Sequence, residues 1–236
     1  MTDHGPIDSL SRRLMLGSLL AAVAAKTLVW PARAQESGLY PLAADDGKPV
    51  ANYKLPSELS PTELPGIVWH GSKEADVVLV EFFDYNCPYC RKASADLDVL
   101  VSKDKHLRLG LANNAVLGLG SFLAARVQQA VLRLYGPDRA YAFHKQLFAH
   151  RGPNDGAGAL AIAKSMGLDA AAIEDSANSD RVGSVLKRHI QLAADLGFAA
   201  SPSFALSSVG ILGYPGPRSI AQMIAASRKC DAPACG

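Results

Sequence analysis

Cys87-Pro88-Tyr89-Cys90 is the stretch of this 236-residue chain best equipped for chemistry. It follows directly on the apolar run Val77-Val78-Leu79-Val80-Glu81-Phe82-Phe83. A short buried strand that ends at two close cysteines and then opens a helix puts Cys87 at a helix N-terminus. Unpaired backbone N–H groups and the positive end of the helix dipole there favour thiolate over thiol. In such settings a cysteine pKa falls from roughly 8.5 to about 3.5–7.5. The chemistry implied is thiol–disulfide exchange. Cys87 is expected to be the exposed, acidic sulfur that a substrate thiolate attacks. Cys90, one turn inside the helix, is expected to be buried and less acidic, the leaving group and later the resolving thiol.

Other residues bear on that pair. Glu81 is the one charged residue of the apolar strand. A buried acid titrates high and can shuttle protons to an inner thiol, whereas a solvent-facing strand residue is the plainer alternative. Ala200-Ser201-Pro202-Ser203-Phe204 opens a late strand, where a proline need not donate to the ladder. A cis Ser201–Pro202 bond would cost only about 0.5–1 kcal/mol and would leave the Ser201 backbone free to pair with an incoming peptide. An ordinary loop proline is the competing reading. Cys230 and Cys235 enclose Asp231-Ala232-Pro233-Ala234. A bridge there closes a small loop worth on the order of 2 kcal/mol, and a structural disulfide is expected, with an accessory redox pair as the alternative.

Two cysteine pairs also match the ligand count of a zinc site. Pro88 and Tyr89 between the first two thiols, the strand-to-helix junction and the wider second gap in a Pro/Ala/Gly tail argue against it. No metal and no other cofactor is expected. His70, His106, His144, His150 and His189 show no mutual spacing that suggests a ligand set or a catalytic dyad, and none is assigned a role.

The elements that must position these residues can be read from periodicity. Five prolines between residues 35 and 65 (Pro41, Pro49, Pro56, Pro61, Pro65) argue against a long helix or central strand. That segment reads as an extended N-terminal arm with one short helical turn, leading to a first strand near Ile67–His70. Val77–Phe83 is apolar on both faces except at Glu81, as a doubly covered strand should be. Ala93, Leu97 and Leu100 continue one face of a helix from Cys87, and Leu107–Leu111 is the next strand. Residues 115–197 have helical periodicity, clearest over Phe122–Tyr135, Arg139–Ala149, Gly158–Met166 and Ser179–Leu196. Gly136-Pro137-Asp138, Gly152-Pro153-Asn154-Asp155 and Gly167-Leu168-Asp169 punctuate them. Strands Ser203–Leu206 and Val209–Leu212 and a helix Ser219–Arg228 close the pattern. The order predicts an α/β fold whose sheet is interrupted by an all-helical insertion.

A hydrophobic fraction of 49% with 19% charged residues describes a packed protein. Ser11-Arg12-Arg13-Leu14-Met15-Leu16 opens an Ala/Leu-rich stretch reaching Val29, and Ala32-Arg33-Ala34 then supplies small residues of the kind an export peptidase reads. Residues 1–34 are therefore expected to be a twin-arginine-like export signal cleaved after about Ala34, delivering the protein to the periplasm. That segment takes four of the 24 basic and two of the 22 acidic residues with it, leaving 20 of each. No basic field remains to hold nucleic acid. An even cysteine count suits an oxidising compartment.

The segment Glu81-Phe82-Phe83-Asp84-Tyr85-Asn86-Cys87-Pro88-Tyr89-Cys90-Arg91-Lys92 resembles the active-site segment of DsbA-like thiol oxidoreductases. Leu117–Arg126 and Tyr141–Phe148 resemble that family's inserted helical domain, and Ser201-Pro202-Ser203-Phe204 its cis-proline loop. The resemblance spans roughly residues 66–229, with 230–236 as a C-terminal tail. It implies a thioredoxin-like fold with an inserted all-helical subdomain, a cis peptide at Pro202, and disulfide exchange with reduced exported proteins. An acid at the position of Glu81 lies beneath the active site in such relatives. A membrane redox partner is compatible with this reading, and the oligomeric state is not indicated. Two departures stand out: Ser201 replaces the more usual Thr or Val, and Tyr89 replaces the His of the best-known oxidases. The rivals are a disulfide isomerase or reductase on the same scaffold, and a non-catalytic metal- or peptide-binding protein.

Overall fold

A computed structural model describes residues 38–236, so the expected export signal lies outside the described residues. Six strands form one sheet in the order β1-β6-β5-β3-β4-β2. They are β1 (Asn52–Lys54), β2 (Val68–Gly71), β3 (Val77–Phe83), β4 (Leu107–Asn113), β5 (Ser203–Leu206) and β6 (Val209–Leu212). β3 and β4 pair in parallel and the remaining neighbours are antiparallel. β3 is central, hydrogen-bonded on both sides, which is why its sequence lacks the alternation of a half-exposed strand.

Side chains nevertheless alternate across the sheet. Val77, Leu79 and Phe83 enter a core shared with helices α1 (Pro88–Lys103) and α6 (Pro217–Cys230). Val80 and Phe82 enter the opposite core with Ala193, Leu196 and Phe198. Glu81 shares the face of Leu79 and Phe83 and so points toward α1. Helix α1 buries Cys90, Ala93, Ser94, Leu97 and Val101, a continuous stripe at helical spacing that carries Cys90 on its inward face.

Between β4 and β5 the chain runs through α2 (Leu119–Ala149), α3 (Gly156–Ser165), α4 (Ala170–Asn178) and α5 (Asp180–Asp195). α2 contains both segments expected from the sequence, broken where Gly136 adopts φ 81° ahead of Pro137. That conformation favours glycine, and proline removes the donor that would continue the ladder. α4 has no clear apolar stripe in the sequence, only Ile173 among alanines, yet Asp169 caps its first turn by accepting from Ala171 and Ala172 N–H groups. The buried face of α5 is Val182, Leu186, His189 and Ala193. A histidine thus stands in the stripe where Val185 and Ile190 were expected, and those two are half-buried.

One expectation is corrected. Residues 38–65 are part of the fold, not an arm outside it. β1 pairs with β6 as an edge strand, and Leu42, Val50 and Leu55 are buried in the two cores. The prolines flank this three-residue strand without entering it, so proline density marked its ends and concealed the strand itself. The expected short turn is present at Pro61–Glu63.

Candidate active site

The site lies at the C-terminal end of β3. The chain turns through Asp84-Tyr85-Asn86 and enters α1 with Cys87 as the N-cap, at φ −82° and ψ 119°, and Pro88 in the first helical turn. Cys87 Sγ accepts the Cys90 N–H at 3.3 Å, one of the amide groups that a helix leaves unpaired at its start. The two cysteines are not bonded to each other. Ser201 reaches both: its carbonyl accepts from the Cys87 thiol at 3.1 Å, and its hydroxyl lies 3.1 Å from Cys90 Sγ. The Ser201–Pro202 peptide is cis. Ser201 and Pro202 therefore lie beside the pair although 111 residues separate Ser201 from Cys90.

Cys87 was expected to be exposed, and the structure corrects this: it is only 4% accessible. The Ser201–Pro202 loop lies across its sulfur, and Pro88 and Tyr89, the latter 64% accessible, are the residues of the motif that stand out into solvent.

The electrostatics separate the two sulfurs. Cys87 is lowered to about 6, first by its hydrogen bond with the Cys90 side chain and then, against the opposing effect of burial, by the amides of Cys90 and Tyr89 and by Ser201. Cys90 is pushed far up by burial, by its hydrogen bond to Cys87 and by the negative charge of Glu81. Glu81 is fully buried, and neither carboxylate oxygen has a hydrogen-bond partner. Burial, reinforced by Cys87, raises it to about 8. It is a proton-carrying group beneath the pair at neutral pH, so the solvent-facing alternative is excluded.

Cys230 and Cys235 form a disulfide. Cys230 ends α6, where Arg228 bridges Asp76, just before β3, and Asp104, just after α1. This is the pole opposite the active site, separated from it by the seven residues of β3, roughly 20 Å of extended chain. The two cysteine pairs are therefore not placed to bind one metal together or to exchange with each other inside one molecule. Among the described residues no group of three or more His, Cys, Asp or Glu is placed to hold a metal ion.

Sequence reasoning passed over several residues around the pair. Asp84, Asn86 and Arg91 carry hydrogen bonds to the helical insertion. His144, given no role, is buried among Phe83, Tyr85 and Phe148, with its Nδ1 3.3 Å from the Tyr85 hydroxyl. Burial lowers it to about 3, so it is neutral. The available signal was the polar run Asp84-Tyr85-Asn86 itself, which shows a turn but not its partners.

A central sheet, a redox-spaced cysteine pair capping a helix, a facing cis-proline and a helical insertion define a thioredoxin-like protein. The thioredoxin family model matches residues 63–224, and the chain belongs to that family. It is 33% identical to a thioredoxin-like oxidoreductase from Silicibacter pomeroyi DSS-3, whose crystal structure superposes with a TM-score of 0.67 over 72% of this chain and 99% of that one. The thiol-disulfide exchange protein alpha-DsbA2 from Wolbachia pipientis shares the fold, with a TM-score of 0.63, 23% identity and coverage of 67% and 86%. Among curated proteins, disulfide bond formation protein D of Bacillus subtilis (strain 168) is 34% identical over 82 residues. That match spans 33% of this chain and 36% of the length of the relative.

Proposed function

We propose that this protein is an exported thiol:disulfide oxidoreductase that forms disulfides in other exported proteins. The observation that carries the reading is the polarised pair, with Cys87 held as an acidic sulfur by the Cys90 side chain and the first amides of α1, and Cys90 buried above a proton-bearing Glu81. In the oxidised enzyme a substrate thiolate attacks Cys87, and the Cys87–Cys90 bond breaks. The electron pair goes to Cys90, which takes a proton from Glu81. A second substrate thiolate then attacks the substrate sulfur of the mixed disulfide. It expels the Cys87 thiolate, a good leaving group because of its low pKa. The substrate loses two electrons and the enzyme becomes the dithiol.

Ser201 and Pro202 are the peptide-contacting residues in this scheme. Ionisation of Cys87 removes the proton that the Ser201 carbonyl accepts, leaving that carbonyl for a substrate N–H. Exposed Tyr89, Val116, Leu117 and Leu119 supply apolar surface suited to an unfolded chain. The Arg12-Arg13 segment and Ala32-Arg33-Ala34 support export to the periplasm. Reoxidation of the dithiol then falls to a redox partner, which we assign to the membrane.

Equilibrating the Cys87/Cys90 pair with glutathione and following oxidative refolding of a reduced protein tests the reading. The expected result is a potential well above the roughly −270 mV of thioredoxin, with catalysed refolding. A potential near that value without oxidase activity would reassign the protein as a reductase or isomerase.

A further inference from the structure

Asn86 and Arg91 immediately flank the redox motif, and both reach the same short connection of the helical insertion. Asn86 Nδ2 donates to the Asn154 carbonyl at 2.9 Å, and Asn86 Oδ1 accepts the Asn154 N–H at 2.7 Å. The same Nδ2 donates to Ser121 Oγ at 2.9 Å. The Asn154 side chain returns the contact, donating from Nδ2 to the Tyr85 carbonyl at 2.8 Å. On the other side of the cysteines, the Arg91 guanidinium donates to the carbonyls of Phe148 and His150, the latter at 2.6 Å. Phe148 and His150 belong to the end of α2 and its cap, and Asn154 immediately precedes Asp155, the N-cap of α3.

We propose that the α2–α3 connection, residues 148–154, is a positioning element for the redox pair, with Asn154 and Arg91 as its positioning residues. The inference rests on Cys87 and Cys90 being the exchanging pair. The bond from Cys90 N–H to Cys87 Sγ exists only while the turn before Cys87 and the first turn of α1 keep one relative placement. A connection tied to Asn86 on one side and Arg91 on the other fixes that placement from outside the motif. Asn154 shows what the arrangement costs. It is 1% accessible, and with its amide turned toward the Tyr85 carbonyl its Oδ1 is left buried without a partner.

Exchange with glutathione disulfide forms the Cys87–Cys90 bond, breaks the glutathione S–S bond and yields two glutathione thiols, so its equilibrium constant reads the stability of the dithiol. Asn154→Ala and Arg91→Lys, made in the full chain, test the proposal by that equilibrium and by the pH midpoint of Cys87 thiolate absorbance. Arg91→Lys keeps the positive charge and loses the two-carbonyl clamp. Gln129→Ala is the control. It removes a different bond from the insertion, Gln129 Nε2 to the Gly66 carbonyl at 2.8 Å, away from the motif. Each test variant is expected to raise the midpoint by about one pH unit and to shift the equilibrium about tenfold toward the disulfide. Gln129→Ala should leave both at wild-type values. Should Asn154→Ala fail to fold, Arg91→Lys carries the same test from a half-buried position. An exchanging wild type whose two test variants are unchanged, or are matched by Gln129→Ala, overturns the positioning role. A wild type that does not exchange with glutathione ends the underlying exchange reading instead.

Discussion

Glu81 and the two cysteines of the motif divide the work at the scale of single residues, and each part is separately measurable. Cys87→Ser should abolish exchange, because Cys90, the other sulfur in the first turn of α1, is fully buried and held as a thiol. Cys90→Ser should accumulate covalent substrate complexes on non-reducing gels, because the mixed disulfide on Cys87 has lost its resolving thiol. If Cys90→Ser traps nothing while Cys87→Ser stays active, the roles are wrong. Glu81 adds a stability signature. The folded protein holds its proton up to about pH 8, whereas the ordinary value is 4.5. The unfolded chain therefore releases a proton that the native state keeps, and this group lowers stability as pH rises through that window, by about 1.4 kcal/mol per pH unit. Urea unfolding of the reduced protein at pH 5 and pH 8 should show Glu81→Gln gaining on wild type by roughly 4 kcal/mol at the higher pH. An equal difference at both pH values would show that Glu81 is already ionised at pH 5.

Elements are joined by a second buried histidine. His189 on α5 accepts the Asn113 N–H at the end of β4 through Nδ1 (3.0 Å), and its Nε2–H donates to the Pro65 carbonyl at 2.7 Å. One neutral ring thus ties the insertion, the sheet and the segment before β2 together. Burial lowers it from 6.5 to about 4. Because the folded form resists protonation, its contribution is complete above pH 6.5 and is lost as pH falls toward 4, on the order of 3 kcal/mol in all. His189→Gln should flatten the loss of urea resistance between pH 6.5 and 4.5. A variant that loses stability on acidification as steeply as wild type would place the acid sensitivity elsewhere. The sequence placed α5 correctly but read its inner stripe as Val182, Val185, Leu186, Ile190 and Ala193. Apolarity alone could not show that a histidine is welcome where a backbone N–H and a carbonyl wait for it.

Across the whole molecule, chemistry and fastening occupy opposite poles. The Cys230–Cys235 disulfide closes the tail where Arg228 meets Asp76 and Asp104, while exchange takes place at the other end of β3. Replacing both cysteines by serine should leave the Cys87 titration and the glutathione equilibrium unchanged. It should lower stability by no more than about 2 kcal/mol, the entropy of so small a loop. A large shift in the Cys87/Cys90 equilibrium would reveal communication between the poles. Separation also explains why the sequence left an accessory redox role open for Cys230 and Cys235 beside the expected structural disulfide: spacing along the chain carries no information about which end of a strand a residue occupies.

Local pattern was enough for much of this protein. The strand Val77–Phe83, the helix opening at Cys87, the helical run from 115 to 197 and the late strand pair follow from hydrophobic period, turn residues and caps, all of which act over a few residues. Tertiary structure decided what depends on contacts between distant segments. It brought Ser201 across Cys87 and covered the sulfur, buried Glu81 without a partner, and paired β1 with β6. It also locked Asn86 and Arg91 to the α2–α3 connection. Burial and hydrogen bonding across such separations set the protonation of each group, and no short window of sequence contains both partners.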